Sequence, residues 1–248
     1  MEITFRDDGP VRVVTLSGPR GVNVFTARAH DRLEAVLTEA DADDAVRVIV
    51  LTGTSRTFSV GADIGAFPPA PCDPTEFVDR FLAVNALPER LDTPVLAAVH
   101  GAATAGGFEL ALACDWILAA PAATFSLPEA RFGLVAGYAA ARLAQTVGAH
   151  RARRLLLTGE TLTATQAAEF GLPVTVTDQD PLDAAVAMAA QICRSAPHAV
   201  RIIKQRSVAQ AGATDPDLQV SLQAYAQLWN LPETRSAIAA WRDKRGTN

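Results

Sequence analysis

The sequence predicts an α/β protein, with buried strands and helices alternating over the front half and a mostly helical final third. Three observations carry that reading. VRVVTL (11–16) and VRVIVLTG (46–53) are rich in β-branched residues and end in turn formers, which reads as two strands. Between them ARAHDRLEAVLTEA carries apolar positions at Leu33, Val36, Leu37 and Ala40, a helical stripe that Thr26 can cap. Beyond residue 150 the strand signals fade and capped helical segments follow one another.

The remaining elements follow in order. PPAPCDPTE (68–76) contains four prolines, which prevent regular structure, and reads as a loop. TPVLAAVHG (93–101) is a second buried strand, WILAA (116–120) a third, and ATFSL (123–127) a short partner. VRVIVLTG leads through FSVGADIGAF, and PVLAAVHG leads through AATAGGFELALA. Each is a buried strand, a Gly-containing turn and a helix start, a repeated design rather than a sequence repeat. AHRARRLLLTG is a helix stopped at Gly159. TATQAAEFGLP is a short helix from a Thr163 cap to Gly171, and DPLDAAVAMAAQICRSA has Pro181 in its first turn. Pro197–Gly212, Asp215–Asn230 and PETRSAIAAWRDKR complete the helical third.

Composition narrows the function. The 248 residues are 49% hydrophobic, which supplies a substantial core. A formal net charge of -5 and a pI near 5.4 disfavour a nucleic-acid surface. Cys72, Cys114 and Cys193 are scattered and form no CxxC, so neither a disulfide framework nor a zinc site is expected. His30, His100, His150 and His198 are too dispersed for a metal site. MEITFRDDGP has no apolar segment behind a basic one, and no run reaches the roughly 18 apolar residues of a membrane span. A soluble cytoplasmic protein is expected.

The chemistry concentrates in AATAGGFELALACD (102–115), where Glu109 sits among Phe108, Leu110, Ala111 and Leu112. A carboxylate is costly to bury without a partner. Gly101 and Gly106 have phosphate-loop spacing, but Gly107 and Phe108 stand where Lys and Ser/Thr are needed, so that motif fails. No GxGxxG follows a strand, so a dinucleotide has no signature. Gly106 and Gly107 would instead let backbone N–H groups approach a developing oxyanion at a helix start. Glu109 would sit in that first turn, either with its pKa raised as a general acid or base, or simply set against the helix dipole with its end in water. In FSLPEARFGLVAG (125–137) Glu129 follows Pro128 in another apolar setting. Two glutamates can divide acid and base work where their environments push their pKa values apart.

FSVGADI, AAVHGAATAGGFELALACD and FSLPEARFGLVAG resemble the three signature stretches of the enoyl-CoA hydratase/isomerase, or crotonase, family, and RRLLLTGETLTATQAAEFGLP resembles its later LLTG segment. The motifs fall in family order over nearly the whole chain. The resemblance implies a spiral of ββα units at 1–195, carrying the acyl-CoA site, and a helical oligomerisation region at 196–248. It implies a homotrimer or a hexamer built as a dimer of trimers, acting on an acyl-CoA thioester without metal or other cofactor. By the same resemblance the backbone N–H groups of Ala62 and Gly106 are the oxyanion donors. Glu109 is the base for water attack at the β-carbon, Glu129 the proton donor to the α-carbon, and Gly137 helps hold the water. Val60, Asp63 and Ile64 would meet the CoA, with Arg20 at its phosphates, while Tyr225 and Lys244 would reach a neighbouring subunit's CoA. Asp63 also reads as a local structural cap, and Asp115 as the close of a helix turn.

The chain departs from the pattern at Ala136–Ala141, where hydratases of the family usually carry Pro-Gly-x-Gly-Gly. Alanine at a position needing positive φ would be strained there, so a rebuilt acyl-pocket wall, with Tyr138 and Phe108 in the pocket, is expected. Ala105 stands where a third glycine is common. The expected reaction is hydration of a 2-enoyl-CoA. The alternatives are an isomerase using Glu129 alone, a thioester hydrolase or C–C lyase, and a non-catalytic binding protein.

Overall fold

Short runs of valine, isoleucine and alanine form the central strands, because β-branched and small apolar side chains fit a sheet covered on both faces. The computed structural model describes residues 1–66, 74–210 and 215–246. The chain begins with β1 (Glu2–Asp8), β2 (Val11–Ser17), α1 (Ala27–Ala42), β3 (Val48–Thr52) and β4 (Thr57–Ser59). It continues through α2 (Thr75–Asn85), α3 (Leu87–Arg90), β5 (Val95–Val99), β6 (Ala102–Thr104), α4 (Gly106–Leu112), β7 (Trp116–Ala119) and β8 (Thr124–Ser126). Next come α5 (Gly137–Val147), α6 (Ala149–Thr158), β9 (Thr161–Thr163), α7 (Ala164–Phe170) and β10 (Val174–Val176). The last helices are α8 (Pro181–Cys193), α9 (Pro197–Gln210), α10 (Asp215–Trp229) and α11 (Pro232–Gly246).

The strands divide between a six-stranded sheet, in the order β1-β2-β3-β5-β7-β10, and a four-stranded sheet, β4-β6-β8-β9. The first strand of each repeated unit enters the large sheet and the second the small one: β3 then β4, β5 then β6, β7 then β8. The chain therefore climbs in parallel, with Ile49 opposite Val95 and Leu96 opposite Trp116 in the large sheet, and Ala103 opposite Phe125 in the small one. Among the described residues only β1 on β2 and β9 on β8 are antiparallel. This is the expected spiral of ββα units.

Strand periodicity sorts the core into layers. Along β3, Ile49 and Leu51 face the cluster that includes Leu33, Val36 and Leu37 of α1, while Val48 and Val50 face Ala185 and Ala189 of α8. A third cluster joins Val78 and Leu82 of α2, Leu134, Leu222 and Trp229 of α10, and Ile238 of α11. It sets the C-terminal helices over one end of the spiral in the same chain. Buried cations tie segments together: Arg12 pairs with Asp7 at 2.8 Å, Arg142 pairs with Glu89 at 3.1 Å, and Lys204 reaches Asp115 at 2.9 Å and the carbonyl oxygens of Pro88 and Thr93.

The capped helices stand where the sequence places them. Thr26 accepts the N–H of Ala29, Thr163 forms a capping box with Gln166, and Gly159 and Gly171 end their helices in left-handed conformations. Four features differ from expectation. The polar segment EITFRDD forms β1, an exposed edge strand held by its hairpin with β2. TFS (57–59) and AAT (102–104) are strands β4 and β6 rather than turns, and β9 and β10 lie beyond residue 150. Each spans three residues, too few to show a period in sequence. Asp115 does not close a helix turn; it accepts the N–H of Val95 at 2.7 Å and so anchors the start of β5. Of the expected 68–76 loop, Thr75 and Glu76 belong to α2, and residues 68–73 lie outside the described residues.

Candidate active site

Two helix starts and one 3-10 turn converge on a cavity of about 90 Å³. Its walls are mostly apolar, from Ile64, Phe77, Phe81, Leu82, Phe132 and Leu134, and its polar groups include Glu109 and Glu129. The chemistry begins with backbone. Phe25 donates to the Gly61 carbonyl, and in a trans peptide the Ala62 N–H must then point the opposite way, away from Phe25. The Ala105 carbonyl accepts the N–H groups of Phe108 and Glu109 inside α4, so the Gly106 N–H points out of the helix start. The two segments touch: a Cβ on Gly61 would lie 2.8 Å from the Gly106 nitrogen, and Gly61 has φ +79. Only glycine fits both demands.

This geometry strains its neighbour. Ala105 has φ 54 and ψ -133, a conformation sparsely populated by residues with a Cβ. Its N–H is held by the Ser126 carbonyl at 2.9 Å, which locks the turn from β6 into α4. Strain was expected instead at Ala136–Ala141. There Ala136 has φ -74 and the segment runs straight into α5, because a helix start needs no positive φ.

Glu109 lies in the first turn of α4 and is 4% exposed. Its Oε1 accepts the Ala139 N–H at 3.1 Å, and the Tyr138 N–H also hydrogen-bonds to the carboxylate. Its Oε2 accepts from Asn85 Nδ2 at 3.3 Å. Burial raises the Glu109 pKa, and these donors oppose the rise by favouring the ionised form. Glu129 opens the 3-10 turn Glu129–Phe132, and its Oε2 is buried without a hydrogen-bond partner. Burial pushes its pKa well up, and the nearby Glu109 charge pushes it further. Of the two carboxyl groups, Glu129 is therefore the one whose protonated form is favoured more, and Glu109 the one better held as a carboxylate.

The other expected site residues separate into two groups. Val60, Ile64, Gly137 and Tyr225 line the cavity with Ala62, Gly106 and the two glutamates. The Gly137 N–H, first in α5, points out of that helix because the Ala136 carbonyl accepts from Ala140 within it. Tyr225 enters from α10 of the same chain and stacks on Trp229; burial raises its pKa, and both carboxylates lie close enough to raise it further. It thus meets its own chain's cavity, because α10 folds back over α2.

Phe108 and Tyr138 turn away from the cavity. Phe108 packs on Phe125 in the core at 5.2 Å between ring centroids, on a different face of α4 from Glu109. The buried Tyr138 hydroxyl is turned to Glu89, beside Arg142. Asp63 accepts the N–H of Gly65 at 3.0 Å, the cap its sequence position suggests. Arg20 is exposed with φ 55. Lys244 lies in α11, and its side chain is outside the described residues.

Asn85 was not singled out by the sequence reading, although it carries the same oddity as Glu109: a polar residue inside an apolar run, FLAVNALP. Among the described residues no group of three or more His, Cys, Asp or Glu could hold a metal ion, and no helix is long and apolar enough to cross a membrane.

Parallel ββα units, two sheets and C-terminal helices folded over the site define a crotonase-fold protein. The fold matches the crystal structure of an enoyl-CoA hydratase/isomerase from Mycobacterium paratuberculosis with a TM-score of 0.87, at 28% identity, covering 96% of this chain and 98% of that one. An enoyl-CoA hydratase from Mycobacterium avium matches at 0.85 and 30% identity, covering 98% and 96%. In sequence the chain is 29% identical to the short-chain-enoyl-CoA hydratase of Clostridium acetobutylicum, over 98% of this chain and 95% of that protein. The enoyl-CoA hydratase/isomerase family model matches residues 6–247, and the chain belongs to this family of enzymes.

Proposed function

We propose that this enzyme adds water reversibly to a 2-enoyl-CoA thioester. The observation that carries the reading is the unlike pair of carboxylates in one apolar cavity, Glu109 held by three donors and Glu129 with a bare, buried oxygen. In the forward direction the Glu109 carboxylate takes a proton from water as its oxygen bonds to the β-carbon. The alkene electrons move through the α-carbon to the thioester oxygen, where the Ala62 and Gly106 N–H groups stabilise the enolate. Glu129 then gives its proton to the α-carbon, and proton transfer between the two carboxyl groups restores the starting state. Gly137 offers its N–H to the water. The CoA belongs to the substrate, and no further cofactor enters the step.

The nearest rival, an isomerase working through Glu129 alone, would leave Glu109 idle; its place on the cavity wall beside Gly106 supports the hydratase instead. CoA contacts at Arg20, Val60, Asp63, Ile64 and Lys244 belong to the same proposal. So do a cytoplasmic location and a trimer or hexamer assembled through residues 196–248, a region that exposes Ile202 and Ile203 on α9. The test is loss of ultraviolet absorbance of the conjugated thioester across short, long, branched and aromatic 2-enoyl-CoAs. Glu109→Gln and Glu129→Gln should each lower turnover by about 10²–10⁴-fold, the usual weight of general acid–base catalysis. Turnover that survives Glu109→Gln, or that appears only with 3-enoyl-CoAs, would replace this reading with the isomerase.

A further inference from the structure

We propose that Asn85 is a positioning residue, which fixes the second oxygen of the Glu109 carboxylate and holds the ionised side chain in its working orientation. The inference rests on the reading of Glu109 as the base. Asn85 ends α2, has no solvent exposure, and directs Nδ2 to Glu109 Oε2 at 3.3 Å. The amide is wedged tightly, since a Cβ on Gly106 would come within 3.0 Å of Nδ2. Asn85 therefore touches both the carboxylate and the residue that carries an oxyanion donor.

Behind the amide stands His30 of α1. Its ring lies between Phe25 and Phe81, with centroids 4.4 and 3.7 Å away, and its Nδ1 is 3.3 Å from the Thr26 carbonyl oxygen. Burial lowers its pKa to about 4, so the ring is neutral near pH 7. The Asn85 side chain stands beside the ring, and its interaction with the imidazole offsets part of that lowering. His30 Nε2 and Asn85 Oδ1 are both buried, and neither makes a hydrogen bond of good geometry. A purely structural asparagine in a core satisfies both ends of its amide, because an orphaned buried carbonyl is costly. Here the oxygen end is poorly satisfied beside His30, while the amide nitrogen meets Glu109.

Both carboxylate oxygens are thereby anchored from different elements: Oε1 by the start of α5 and Oε2 by the end of α2. The other titratable groups facing Glu109 are Glu129 and the Tyr225 phenol, with His30 behind Asn85. On α2, Glu76, Asp79 and Arg80 are exposed, and on α5 Arg142 pairs with Glu89.

The test titrates the carboxyl carbon of Glu109 by NMR in the full-length protein labelled with ¹³C-glutamate, the signal being assigned by its loss in Glu109→Gln. Removing a hydrogen bond to a charged group, as in Asn85→Leu, should raise the midpoint by about one to two pH units. The acid limb of kcat/KM should move with it. An unshifted midpoint overturns the proposal, whatever happens to turnover. Should Asn85→Leu fail to fold, the nearly isosteric Asn85→Asp replaces it; a carboxylate facing Glu109 must raise the midpoint at least as far, and no rise again overturns the proposal. The titration needs no turnover. A shifted midpoint in a protein that hydrates no 2-enoyl-CoA would count against the proposed reaction alone.

Discussion

Replacing His30 tests whether a buried neutral imidazole couples folding to pH. In the folded protein His30 is 1% exposed and its pKa falls from 6.5 to about 4, with burial as the main cause. Between those values the unfolded chain binds a proton that the folded chain does not, so stability must fall as the pH drops through 6.5 toward 4. At pH 4.5 the unfolded state is almost wholly protonated at this site and the folded state only about a quarter so, which amounts to a loss of about 2.5 kcal/mol relative to pH 7. At the scale of ~2–4 °C per kcal/mol for a chain of this size, the loss is worth roughly 5–10 °C in Tm. His30→Gln cannot take up that proton, while its side-chain amide can still donate to the Thr26 carbonyl. Urea denaturation of both proteins at pH 7 and pH 4.5 isolates the effect, since other titrating groups contribute equally and cancel in the difference. The substituted protein should be less stable at pH 7 and should lose about 2.5 kcal/mol less on acidification. Equal acid losses in the two proteins would refute the coupling.

Two glycine–alanine exchanges probe the backbone of the turn from β6 into α4. Gly107→Ala gains up to ~1 kcal/mol of helix propensity but drives its methyl into the Ser59 backbone carbonyl, and overpacking against unyielding backbone should dominate with a net loss of about 3 kcal/mol or more. Thermal unfolding should show the Tm fall by about 10 °C; an unchanged Tm would mean that β4 and α4 are not in contact as described. Ala105→Gly runs the other way. It relieves a strained φ of 54 that costs ~1–3 kcal/mol and gives back ~0.4–1 kcal/mol in unfolded-chain freedom, so urea unfolding should show a gain of about 1 kcal/mol.

Most of the fold can be read along the chain because its signals are local. The β-branched runs at 11–16 and 46–53, the Thr26 and Thr163 caps, and the stops at Gly159 and Gly171 act within a few residues of themselves, and each element forms where its own sequence directs. Glu109 is equally local as a puzzle: a carboxylate in an apolar helix start needs a reason wherever it is found. The sequence by itself thus determined the α/β order, the limits of the capped helices α1 and α7 and the stop of α6, and the two glutamates that stand out as candidates. What it could not determine depends on pairing between distant segments. The three-residue strands β4, β6 and β10 exist because a parallel neighbour is already in place. Tyr225 faces its own chain's cavity because α10 packs back over α2, whereas Phe108 and Tyr138 face elsewhere because of the side of the helix on which each falls. The unlike surroundings of Glu109 and Glu129 were decided by three donors drawn from two helices to one carboxylate and none to the buried oxygen of the other. Such a difference arises from desolvation and hydrogen bonding in three dimensions, and the spacing of the two glutamates along the chain does not contain it.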